Sequence, residues 1–378
     1  MRFSISPQAL LSSDCDTGLF LAALFVKAGL EYYDSSPVYI VNERVFEQCV
    51  PALTSITSEH PYDNEFSFAI IRKSAATLES LIVEDRDSGI VKHMVYHADG
   101  QSIVYPRLKV LEILGNSDDG DKCAVEKSVA PFPVLQNLRL YASYIFADDT
   151  MFRGNGNTLE HLEMELDADT VDMLRKYNVF SKGKFPRLRS VYIQHDPDSH
   201  TRLSVEAFMQ LVFGMLSAKT QILSVLAKDS YRHLVNAISA CSFAENFRIF
   251  ALDGTALSLL EMLNVVRLLP NMTDFTCGFK GVDPELDVEL GQTIPDRLFS
   301  QYYPLNHRLK CWHMRFSSGV TSKDIAVSAI AFAVLCPRFT FVKVAINAND
   351  YNKELTDALG SGKYDKHTER IMRLFYDV

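Results

Sequence analysis

Apolar residues recur along this chain in one arrangement. Four segments carry it most plainly: Pro106 to Ile113, Pro133 to Leu140, Thr158 to Met164 and Pro186 to Ile193. Each places apolar side chains at the first, fourth and sixth positions of a six-residue template, L-x-x-L-x-L. The alternation over the last positions is that of a short strand with one buried face.

The template recurs beyond those four segments. Leu78/Leu81/Val83 precedes them, and Ile222/Val225/Ala227, Phe247/Phe250/Leu252, Met272/Phe275/Cys277, Leu309/Trp312/Met314 and Phe339/Val342/Val344 follow. First positions fall at 78, 108, 135, 159, 188, 222, 247, 272, 309 and 339, with gaps of 30, 27, 24, 29, 34, 25, 25, 37 and 30. Two degenerate copies, Leu30/Tyr33 and Leu53/Ile56, keep the period upstream, and residues 2–5 read as one further strand. A strand of this pattern returning once per repeat is the signature of a leucine-rich repeat. The expected fold class is therefore α/β: a leucine-rich repeat solenoid curved into a horseshoe, with parallel strands on the concave face and helices on the convex one. It is expected to form one domain over 1–378. Degenerate repeats occupy 1–77, about ten repeats occupy 78–345, and a helical cap occupies 346–378.

Between strands the apolar spacing turns helical. Val205, Phe208, Met209, Val212, Met215 and Leu216 form one stripe over Ser204 to Ser217. Thr321 to Asp324 has the form of a capping box ahead of Ile325 to Leu335. Ala168 to Tyr177, Tyr231 to Ser239 and Ala256 to Leu268 also read as helices. Proline stands two residues before the first apolar position at Pro106, Pro133, Pro186, Pro270 and Pro337, where it stops a helix and begins an extended segment. Asn116 to Asp121 and Gly281 to Asp296 read as loop insertions.

Composition narrows the function. A net charge of −9 argues against nucleic acid as the main ligand, since such affinity comes from clustered Lys and Arg. The 7 cysteines are odd in number, scattered and without a C-x-x-C pair, which predicts reduced thiols in an intracellular protein. The apolar run from Leu19 to Val26 follows Asp14 and Asp16, unlike a signal peptide, and is too short to span a bilayer. No membrane association is expected.

In each template the residues between the apolar positions point away from the core. Those outward positions include Asn137/Arg139/Tyr141, His161/Glu163/Glu165, Ser190/Tyr192/Gln194, Ser224/Leu226/Lys228, Asp274/Thr276/Gly278 and Cys311/His313/Arg315. Over all ten repeats, six outward residues are acidic and four basic, so the face is mixed in charge. Tyr141 and Tyr192 flank His161, Glu163 and Glu165, with Arg139 and Gln194 beside them. Tyr and Arg are frequent interface anchors, so these seven residues are the candidate partner-binding site; the competing reading is a solvated strand face.

Catalytic and metal signatures are weak by comparison. His161, Glu163 and Glu165 share a strand face, but no motif supports reading them as metal ligands. Cys311 and His313 also share a face. A nucleophile pair needs hydrogen-bond reach, and neighbours along a strand are expected to splay. Gly360 to Lys363 fails the phosphate-loop pattern, because Asp357 and Tyr364 stand where it needs a glycine and a hydroxyl residue. Arg153 to Asn157 reads as a turn. Neither H-E-x-x-H nor G-x-S-x-G occurs. No enzyme activity, cofactor or metal is expected.

One stretch is more specific than the repeat. Phe146 to Asn155, then Thr158 to Glu160 and Met173 to Tyr177, resembles the fungal group of F-box-like leucine-rich repeat proteins, with similarity running from Leu53 to Leu335. The resemblance implies that the solenoid holds a protein partner, and that a ubiquitin-ligase scaffold is a further partner where an F-box is present. With repeats beginning by Gly29, no F-box is expected ahead of them. The expected function is a non-enzymatic protein-binding module. The alternative is a ligase substrate receptor whose F-box is lost or diverged.

Overall fold

The computed structural model describes residues 32–34, 53–61, 71–84, 90–96, 100–114, 129–140, 150–180, 184–195, 204–226, 231–283, 305–316 and 319–344. The strand expected at 2–5, the insertion at 116–121, residues 284–296 of the second insertion and the helical cap at 346–378 lie outside them. The chain forms two compact units, Met1–Leu188 with Asp196–Arg202 and Arg189–His195 with Leu203–Val378.

The first unit carries strands β1 (Tyr32–Asp34), β2 (Ser55–Pro61), β3 (Ser80–Glu84), β4 (Val110–Leu114), β5 (Asn137–Leu140) and β6 (His161–Leu166). Each pairs in parallel with the next in chain order. Helices α1 (Ile90–Val95) and α2 (Ala168–Lys176) lie in this unit. The second unit carries β7 (Ser190–His195), β8 (Ile222–Leu226), β9 (Ile249–Ser258), β10 (Asp274–Gly281), β11 (Cys311–Phe316) and β12 (Phe341–Val344), again parallel and sequential. Its helices are α3 (Val205–Met215), α4 (Tyr231–Ala240), α5 (Leu259–Leu268) and α6 (Ser322–Leu335).

The ladder is built from one repeated backbone device. The carbonyl of the residue after the first apolar position accepts two N–H groups from the next repeat. Glu79 accepts from Lys109 and Val110 at 2.8 and 3.1 Å, and Lys109 from Gln136 and Asn137 at 2.9 Å each. In the second unit Gln221 accepts from Arg248 and Ile249 at 2.7 and 3.1 Å. These bonds lock equivalent template positions side by side, so one inward face stays apolar throughout. Leu81, Leu111, Leu138 and Leu162 are consecutive register partners, none more than 2% exposed. Helices close over that face: the Trp312 ring lies 4.8 Å from that of Phe332 on α6, and Cys277 Sγ lies 3.4 Å from Met262 Sδ on α5. Truncating one such leucine to alanine typically costs about 2–5 kcal/mol.

The sequence reading holds for most elements. The Leu53/Ile56 copy is real, with Ile56 fully buried, and Tyr33 pairs with Ile56 in β1. Ser204 caps α3 through Ala207 N, and the Thr321/Asp324 capping box is present. Two readings need correction. The repeat placed at Ile222/Val225/Ala227 is slipped by two residues. Leu223 and Val225 are the buried pair of β8, while Ile222 and Leu226 are half-buried on the outward face with Ser224. Thr220, fully buried, holds the first position, so Ile222 replaces Lys228 in the outward set. A polar residue there hides the template. The helix expected over Ala256 to Leu268 begins only at Leu259, because β9 runs on to Ser258, whose side chain forms a capping box with Glu261.

Thr220 and two glycines provide direct checks. Thr220 Oγ1 accepts from Ser217 N at 3.0 Å in the core. Thr220→Val should therefore destabilise the protein by about 1–3 kcal/mol, although it restores an apolar template residue, because the buried amide loses its acceptor. Denaturant unfolding reads the change; an equal or higher stability would contradict the assignment. Gly154 and Gly100 have φ of +80° and +82°, but an added Cβ at Gly154 would lie 2.7 Å from Ala130 Cβ, whereas Gly100 faces open space. Gly100→Ala should cost only the left-handed penalty of about 1–2 kcal/mol, and Gly154→Ala distinctly more in the same assay.

Candidate functional site

The register places outward residues in rows across each unit. In the first, Ser55, Ser80, Val110, Asn137 and His161 stand side by side, as do Thr57, Ile82, Glu112, Arg139 and Glu163. His161 is exposed, and Glu112, Arg139, Glu163 and Glu165 are half-buried. Arg139 Nε lies 3.1 Å from Glu163 Oε1, between two register-neighbouring carboxylates. Three carboxylates against one guanidinium make this cluster acidic. Tyr141 lies outside the described residues, so the aromatic flank expected on this side has no structural account.

In the second unit the first row is Ser190, Ile222, Ile249, Asp274 and Cys311, and the second is Tyr192, Ser224, Ala251, Thr276 and His313. Tyr192 is 42% exposed and Ile249 38%. Small side chains at Ser224, Ala251 and Thr276 form low ground between Tyr192 and His313. Gln194 is half-buried and pairs with Leu226 in a third row that continues to Asp253. There the Arg315 guanidinium reaches Asp253 Oδ1 at 2.9 Å. The register of β9 jumps between Leu252 and Ala256, where Gly254 adopts φ +79°. The partner strand carries Gly278 there, because a Cβ would stand 2.9 Å from the Thr255 carbonyl oxygen.

The first unit therefore holds Arg139 on β5 and His161, Glu163 and Glu165 on β6 along one outward face, and the second holds Tyr192 and Gln194 on β7. Ile222 escaped the sequence reading through the slipped template, whereas the template puts Ile249 on the outward face, where an isolated aliphatic residue carries no chemical signal that would single it out. Ile222 takes its place beside Ile249 once that repeat is aligned on Thr220. One expectation is overturned. Cys311 and His313 do not splay: Sγ lies 3.1 Å from Nε2. Side chains on a strand lean along its direction, and the imidazole is long enough to cover the two-residue rise. Their inward counterpart Cys277 is different in kind, since burial pushes its thiol up to about 12 despite the nearby Trp312 indole.

No helix among the described residues is long and apolar enough to cross a membrane. No protein-family model matches the chain, and no curated protein matches it. Among solved structures it is similar to a chain in the crystal structure of the Rad7 and Elc1 complex in yeast, with 13% identity, coverage of 84% of this chain and 87% of that one, and a TM-score of 0.38.

The Arg139–Glu163 pair is open to solvent, with side chains 40% and 46% exposed. A double-mutant cycle with Arg139→Ala and Glu163→Ala should give a coupling of about 0.2–1 kcal/mol that shrinks in high salt. A coupling above about 2 kcal/mol would make the pair a structural clamp rather than an accessible surface feature.

Proposed function

We propose that this protein is a leucine-rich repeat solenoid that holds a protein partner on the outward faces of its strands and catalyses no reaction. The observation that carries this reading is the exposure of Tyr192 and Ile249 on the strand face of the second unit. They are two of the four large hydrophobic residues exposed among the described residues. An aromatic anchor, two neighbouring isoleucines and a floor of small side chains suit the apolar centre of an interface. Gln194 and the Arg315–Asp253 pair supply polar groups at its margin. In the first unit Arg139, His161, Glu163 and Glu165 form a second contact patch, whose carboxylates favour a basic segment of the partner.

The test compares two tyrosines of equal exposure. Tyr192 stands on a strand face, and Tyr177, 41% exposed, caps the end of helix α2. Partners captured by the purified chain are identified and their affinities measured. Tyr192→Ala should weaken the leading interaction by about 1–2 kcal/mol, a factor of roughly 5–30, as loss of an anchor does. Tyr177→Ala should leave it unchanged. The reverse order, or unchanged affinity in a folded Tyr192→Ala protein, would overturn the assignment.

A further inference from the structure

The outward face of the second unit also gathers three side chains of metal-binding chemistry. Asp274 on β10 is the register partner of Cys311 on β11, and His313 follows two residues further along the same face. Trp312, fully buried, points the other way. One carboxylate oxygen of Asp274, Cys311 Sγ and one imidazole nitrogen of His313 all lie within 4.8 Å of one another, and the Cys–His separation is 3.1 Å. Two strands thus converge three donors on one point, in positions fixed by the backbone ladder.

We propose that Asp274, Cys311 and His313 form a site for a thiophilic divalent cation, with Zn(II) the best fit. A tetrahedral zinc centre with bonds of ~2.0–2.3 Å holds its ligand atoms ~3.3–3.7 Å apart. The Cys–His separation lies just below that range and no separation among the three exceeds 4.8 Å, distances that side-chain rotation can adjust. The donor set selects the metal. Thiolate with imidazole favours zinc over magnesium or calcium, which take oxygen ligands. Coordination releases the Cys311 thiol proton to solvent, and the two negative ligands then balance the charge of the ion. The carboxylate already has an outer partner, as metal-ligating carboxylates do: Thr273 Oγ1 stands 2.6 Å from Asp274 Oδ2. The nearest described guanidinium along β11, Arg315, is engaged by Asp253 and does not oppose a cation.

Three protein ligands leave a fourth position on a half-buried face. Water or a donor from a bound molecule completes it. The site stands independently of the partner-binding proposal, since it concerns the ion alone.

The experiment uses the full chain, treated with chelator and titrated with Co(II) as a spectroscopic stand-in for zinc. One equivalent should produce a thiolate-to-cobalt charge-transfer band in the near ultraviolet, and added Zn(II) should bleach it. Cys311→Ser should abolish the band. Asp274→Asn and His313→Gln should weaken binding at least about tenfold, the lower end of what loss of an outer-shell partner alone commonly costs. Cys241→Ser, which alters another half-buried thiol, should change nothing. Circular dichroism confirms that each variant is folded; Asp274→Asn preserves the side-chain shape and serves if Cys311→Ser does not fold. Absence of the band at one equivalent, its survival in Cys311→Ser, or full affinity in Asp274→Asn would overturn the site.

Discussion

The shared carbonyl at the start of each strand is the constraint on which the rest depends. By accepting two N–H groups from the following repeat, it sets the lateral register residue by residue, as at Lys109 with Gln136 and Asn137. Register in turn decides which side chains face the core, because a slip of one residue would turn every inward leucine outward. The burial of Leu81, Leu111, Leu138 and Leu162 rewards the correct register, and the backbone bonds make it the only one in which successive repeats agree. Hydrophobic pattern and hydrogen bonding thus specify the same alignment.

The make-up of the outward faces follows from that alignment. Because equivalent positions stand side by side, residues separated by tens of positions in the chain become neighbours about one strand spacing apart. Glu112, Arg139 and Glu163 form an alternating charge row in this way, and Ser224, Ala251 and Thr276 a row of small side chains. The outward positions look mixed in charge when counted together. In space Glu112 and Glu163 flank Arg139 in the first unit, while the exposed large hydrophobics on described strand faces, Tyr192 and Ile249, lie in the second. A ladder that buries one face uniformly leaves the other free to vary from row to row.

Much of the fold was legible because its signal is periodic. The template located the strands, and the prolines and capping residues marked where helices stop and begin. It failed where chemistry replaced the periodic residue. Thr220 keeps its place by accepting a hydrogen bond from Ser217 N rather than through apolarity, so the apolar pattern falls on Ile222 instead. At Ala256 the apolar spacing reads as helix, but the bulge around Gly254 lets the strand continue to the Ser258 cap. The candidate site was harder to read. Cys311 and His313 were visible as a pair and wrongly expected to splay. Asp274 stands at the equivalent outward position one repeat earlier, and its closeness to the pair is lateral, a consequence of the strand register.

On the proposed reading, partners meet the strand faces and not the helical or loop surface. Site-specific photocrosslinking tests it most directly. A photoreactive phenylalanine analogue is introduced singly at positions 163, 192 and 249 on strand faces, and at 104 and 177, the two exposed large hydrophobics elsewhere among the described residues. Covalent adducts to the same partner are expected from strand-face positions and none from 104 or 177. Adducts confined to 104 or 177 would contradict it.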